Sequence, residues 1–184
     1  MRTYLLSSFP ALSLEAPCPL KFGEFMRECS AHLSSSDLDE LDAVCANPPT
    51  GKSAFAKEWT QAKAEWQAQN QYERRQRLPQ ETVTGTPGDI ASDQLRGEHQ
   101  QAWQASDPLI REKGLQASLW NWIEDRRRQA PYSLQDLLGY ALQLQILERR
   151  EIWNEAEGLK QFQEHTQSFL APVLEELRKQ ELSA

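Results

Sequence analysis

The strongest constraint on this chain is a block between residues 134 and 146. Leu134, Leu137, Leu138, Ala141, Leu142, Leu144 and Ile146 recur at helical spacing and define a wide apolar arc. A helix with such an arc gains little from propensity alone and must bury that surface against other elements. No alternation of useful length for a β-strand occurs beyond the N-terminal residues, so the expected partners are helices too. The fold class read from the sequence is all-α, an elongated bundle of long helices with a short extended N-terminal segment.

Helix boundaries follow from caps and breakers. Residues 19–46 read as two short helices, the first carrying Phe22, Phe25, Met26 and Cys29. The second starts at a capping box of Ser36 and Asp39, and Pro48-Pro49 ends the unit. Residues 53–78 contain neither Pro nor Gly and read as one long helix. Its stripe of Phe55, Trp59, Ala62 and Trp66 falls within about 60° of a helical wheel. Past Trp66 the stripe fades into glutamines and arginines, so this half is expected to project or to dock on a partner. Residues 79–92 form a loop rich in Pro, Gly and Thr, followed by a short helix with Leu95, His99 and Trp103. Asp107-Pro108 marks a helix start running to about residue 128. Ser133 caps a helix to about residue 157 with Gly158 as its stop, and a last helix, kinked at Pro172, covers about 159–182. Domain segments are therefore 1–50, 51–78, 79–106 and 107–184, within one continuous domain. Helices of 20 residues exceed about 30 Å, against a radius of gyration of about 16 Å for a compact chain of this length. Hence the expected elongation.

Composition narrows the function. The chain has 184 residues, 39% of them hydrophobic, a net charge of −7 and a mean hydropathy of −0.69. No window offers the roughly 18 apolar residues of a membrane span, and the acidity argues against nucleic acid as a partner. The opening residues imitate a signal peptide, but Ser7, Ser8 and Pro10 break the apolar region. Three cysteines cannot all pair within one chain, which favours reduced thiols in a cytoplasm. Cys18, Cys29, His32 and Cys45 include a single close pair where zinc sites usually bring two, so they read as small core residues and no metal is assigned.

Two motifs invite chemistry and decline it. Ala46 to Ser53 satisfies a loose Walker A pattern, yet Pro48 and Pro49 lack the N–H groups that would cradle phosphate. The segment before it is an acidic helix rather than a buried strand, so Ser53 reads as a helix cap. No nucleophile elbow and no His-Glu-x-x-His appear, and no catalytic residue or cofactor is assigned. The clusters Arg74-Arg75-Gln76-Arg77 and Arg126-Arg127-Arg128 sit in last turns, where cations suit the helix dipole.

Charges inside apolar arcs say more. Glu112 and Arg126 fall on the face set by Leu115, Leu119, Trp120, Trp122 and Ile123. Arg149 lies inside the arc of the 134–146 block, and Glu148 lies at its edge. Buried charges must be paired, so a cross-helix pair such as Glu112–Arg149 or Arg126–Glu148 is expected. Tyr72, Arg74, Arg75 and Arg77, on the half-helix without a stripe, are the candidate partner interface.

Several of these segments resemble a family encoded in bacterial V-type ATPase operons. They are Tyr4 to Ser13 with Pro19-Leu20, Phe22 and Phe25; Asp107-Pro108-Leu109 with Arg111-Glu112, Trp120 and Trp122; and Leu137 through Arg149. Residues 67–105 match nothing in it. Such operons lack an obvious ordinary C subunit, the helical socket between rotor shaft and proteolipid ring. The resemblance implies a non-catalytic structural, coupling or assembly subunit of a rotary V/A-type ATPase, a counterpart of that C (d-type) subunit. Its partners would be shaft or ring subunits, and its place cytoplasmic, peripheral to the membrane through the complex. The alternative is a free-standing helical adaptor or assembly factor that binds another protein through residues 70–78; an enzyme comes third.

Overall fold

A computed structural model describes residues 2–77 and 90–151. Within them the chain forms seven helices and no strand: α1 (Arg2–Ser8), α2 (Phe22–His32), α3 (Ser35–Cys45), α4 (Ala54–Gln76), α5 (Asp93–Gln104), α6 (Pro108–Gln129) and α7 (Leu134–Glu151). Residues 1–148 make one compact unit; a second begins at Arg149, of which the last residues of α7 are described. The expected helix over 159–182, the Gly158 stop and the Pro172 kink lie outside the described residues, as does most of the loop at 79–92.

The caps explain most boundaries. Ser53 accepts the Ala56 N–H at 3.1 Å, Ser92 that of Leu95, and Asp107 those of Leu109 and Ile110 ahead of Pro108 in the first turn. Ser133 accepts the Asp136 N–H at the start of α7. One cap falls two residues earlier than the sequence suggests: Ser34, not Ser36, accepts the Asp37 N–H. Among the described residues only α4 and α6, at 23 and 22 residues, reach the length expected of several helices.

The N-terminus corrects the expected extended segment. Arg2–Ser8 is helical, and only the residues after it run without regular structure. The serines that read as breakers bond back to the preceding turn, Ser7 to the Thr3 carbonyl at 2.8 Å and Ser8 to that of Leu5 at 2.7 Å. Leu5 is buried, and Arg2 grips both carboxylate oxygens of Asp37. Short as it is, α1 is held by tertiary contacts.

At the centre lies α7. Every residue from Asp136 to Leu144 is buried, so the helix is covered on all sides rather than along one arc. Its Gly139 and Gln143 face α6, and its Tyr140 faces the N-terminal residues. There Phe9 and Phe25 stack against the Tyr140 ring at 5.3 and 5.5 Å, and the Tyr140 hydroxyl donates to the Pro10 carbonyl at 2.9 Å. Glu148 accepts the N–H of Phe22, placing a carboxylate at the start of α2.

Helices α4 and α6 pair antiparallel. Phe55 and Trp59 meet Trp122, Glu58 meets Arg126, Trp66 donates to Ser118, and Arg74 meets Glu112. That sequence of contacts runs nearly to the end of α4 and corrects the expected projecting half. Asn70 is 5% exposed, and Arg77 donates to the Trp103 carbonyl at 2.7 Å. The second half of α4 docks through polar and cation–π contacts, which an apolar stripe does not register.

Two glycines separate crowding from propensity. A Cβ on Gly139 would come within 2.5 Å of Arg127 Cγ and 3.2 Å of Ile123 Cγ2, whereas one on Gly97, in exposed mid-helix, meets nothing within 4 Å. Gly97→Ala is therefore expected to stabilise by about 0.5–1 kcal/mol, and Gly139→Ala to destabilise by about 1–3 kcal/mol. Urea-unfolding midpoints should move in opposite directions.

Candidate functional sites

Three polar constellations stand out, and each grows from helix packing. The first joins α6 to α7. Arg127 Nε donates to Asp136 Oδ1 at 2.8 Å, and its Nη1 donates to Gln143 Oε1. Gln143, fully buried, passes the network on to Glu124 at 2.9 Å, and Asp136 also accepts the Tyr132 N–H. The guanidinium lies 5.2 Å from the Tyr140 ring centre. Only a glycine at 139 lets the Arg127 stem cross α7 at this height. Each charge has a hydrogen-bonded partner, as buried ions require. The hairpin between the helices turns at Tyr132, whose φ of 59° is left-handed, a cost the Asp136 contact offsets.

The cross-helix pair between α6 and α7 is Arg127–Asp136, and neither pair expected from the sequence forms. Arg126, expected opposite Glu148, instead lies 4.4 Å from the Trp122 ring centre and 3.6 Å from Glu58. Glu148 is taken by the Phe22 N–H, and Glu112 faces Arg74 at 3.6 Å. Arg149 is exposed. The arc that seems to enclose it ends earlier, because burial along α7 stops near Leu147. A helical wheel fixes azimuth and leaves depth along the axis open.

The second constellation holds the far half of α4 against α5. Asn70 Oδ1 accepts from Trp103 Nε1 at 3.1 Å and meets the ring nitrogen His99 Nε2 at 2.9 Å. The Trp103 indole N–H also lies 3.2 Å from His99 Nε2, so the three side chains close a triangle of polar contacts. Burial holds His99 down to about pKa 4, leaving the imidazole neutral. Arg77 and Arg111 both stack on Trp103, at 5.0 and 5.2 Å. Of the four candidate interface residues, Arg77 is thus engaged within the chain and Arg74 pairs with Glu112, while Tyr72 is half-buried and Arg75 exposed. Leu109 and Ile110, in the first turn of α6, are 42% and 61% exposed.

The third is the Walker-like loop. The N–H groups of Lys52 and Ser53, which a phosphate would use, donate to Glu40 at 2.9 and 2.7 Å. Burial raises the Glu40 carboxyl, but hydrogen bonds from Ser53 and Lys52, with the Lys52 charge, outweigh it and hold the group below its usual range. A Cβ on Gly51 would fall 2.5 Å from Ala56 and 2.7 Å from Glu40. The glycine serves close packing of α3 on α4, and the chain's own carboxylate fills the anion position.

Other chemistry-bearing groups are embedded in packing. Burial pushes the Cys29 and Cys45 thiols up to about 12, away from the thiolate that binds metal or attacks. Among the described residues no group of three His, Cys, Asp or Glu is placed to hold a metal ion, and no helix is long and apolar enough to cross a membrane. A cleft of about 350 Å³ is lined by Glu58, Gln61, Glu65, Trp122 and Arg126. Its charges are engaged too, Glu58 with Arg126 and Glu65 with the Ala91 N–H. Compared with known proteins, the chain matches no protein-family model, no curated protein and no solved structure.

Sequence reasoning gave no packing role to Asn70, Glu124, Asp136 or Gln143, and read Arg127 only as a cation at a helix end. A signal existed for two of them. Asn70 falls four residues after Trp66, near where the apolar stripe would continue, and Gln143 interrupts the 134–146 block. The contrast between the expected and observed pairs is measurable. Arg127→Met leaves Asp136 buried without its cation and should cost about 3 kcal/mol. Arg149→Ala, at an exposed site, should stay within about 0.5 kcal/mol of the parent. Thermal unfolding of the two variants checks both.

Proposed function

We propose that this chain is a non-catalytic structural, coupling or assembly subunit of a rotary V/A-type ATPase, a counterpart of the socket between central shaft and membrane ring. The observation that supports this reading is where the resembling segments sit. Phe9, Pro10, Phe22 and Phe25 from the first segment meet Tyr140 and Glu148 from the last one in a single core. Segments far apart in the chain that share one core are what a common fold would keep together. The reading carries with it a cytoplasmic place at the membrane periphery, shaft or ring subunits as partners, and an elongated arrangement of long helices. Small-angle scattering measures that last feature as a radius of gyration well above about 16 Å.

A free-standing helical adaptor is the second reading. It is favoured by the exposed Leu109 and Ile110, which share the first turns of α6 with Glu112, the partner of Arg74. Adjacent exposed apolar side chains rimmed by charge suit protein contact. The two readings part in one experiment, purification of the intact ATPase in mild detergent from cells carrying a tagged copy of this chain. Co-purification with shaft or ring subunits is the expected result, and Ile110→Asp with Arg75→Glu should reduce it at least tenfold without changing the melting temperature. Repeated absence of the chain from active complexes overturns the ATPase reading and leaves the adaptor.

A further inference from the structure

The two halves of α4 are held by different physics. Phe55, Ala56, Trp59 and Ala62 sit in the main hydrophobic core, whereas beyond Trp66 the buried residue is Asn70. Asn70 is fixed by His99, which is 1% exposed, and by Trp103. Trp66 meets the His99 ring edge-on at 6.4 Å. Arg77 from α4 and Arg111 from α6 both lie over Trp103, and the Arg74–Glu112 pair bridges α4 and α6. Among the described residues no carboxylate hydrogen-bonds the His99 ring. An imidazolium here would be buried beside the indoles of Trp66 and Trp103, facing an amide oxygen. That is a poor place for a positive charge, because burial removes its water.

From this juxtaposition we infer that the Asn70–His99–Trp103 cluster is an acid-sensitive latch, in which protonation of His99 releases the C-terminal half of α4 from α5 and α6. The rest of the fold keeps its packing, because the first half of α4 and the α6–α7 network have other anchors. The sign follows from linkage. The closed form binds the proton more weakly than the open form, so the latch is fully stable above about pH 6.5 and weakens as pH falls toward about 4. With those two limits, the population of the open form should rise about 20-fold between pH 7 and pH 5. Opening frees Trp103 and the Arg77 and Arg111 side chains together, so acid would change what this end of the molecule can bind.

Hydrogen exchange on the full chain tests the latch, with rates corrected for the intrinsic effect of pH. Protection in residues 66–77 and 99–104 should fall about 20-fold from pH 7 to pH 5 while that in residues 137–144 holds, and His99→Gln should abolish the difference. An equal loss in residues 137–144, no loss in residues 66–77, or a loss that persists in the variant overturns the proposal. Should the variant fail to fold, NMR titration of the His99 ring in the native chain decides. An apparent pKa below about 5 supports the latch, and one near 6.5 removes it.

Discussion

The crossing of Arg127 over Gly139 is the contact on which the rest of the structure depends. It fixes the register of α6 against α7 through Asp136 and Gln143, and the missing side chain at 139 sets how closely the two helices approach. Once α7 is placed, its other face offers Tyr140 to the N-terminal residues. One ring thereby carries a guanidinium on one side, Phe9 and Phe25 in stacked contact, and a hydroxyl bond to Pro10. A polar network in a core contributes little net stability against an apolar substitute, but it penalises any other register heavily. Here it decides which faces of a nearly all-round buried helix meet which neighbours.

The same economy governs the chemistry the chain displays. Groups that would form sites in another setting are engaged in holding helices together: Glu40 fills the anion position at the start of α4, Glu148 the start of α2, and Glu58 faces Arg126. Among the large hydrophobic side chains, Tyr4, Leu109, Ile110 and Tyr132 are left exposed.

The helical class, the caps at Ser53, Asp107 and Ser133 and the burial of the 134–146 block are all legible in the sequence. Each rests on neighbours three or four residues apart, the range over which a helix writes itself into a chain. The short N-terminal helix is less so, because two serines read as breakers until their hydroxyls are seen to bond the preceding turn. The partner of each charge is not legible at all. Arg126 and Arg127 are adjacent in the chain, yet one meets Trp122 and Glu58 while the other enters the core network.

What the sequence by itself determines about this protein is therefore local: which segments are helical, where they start, and which faces are apolar. Tertiary structure alone decides that the half of α4 without a stripe docks, that Gly51 and Gly139 are sites of close approach, and that Arg149 is solvated while Arg127 is not. The physical reason is that propensity and periodicity act within one turn or two. Depth of burial and the pairing of charges depend on the distance between helices, which is set by side chains far apart in the chain.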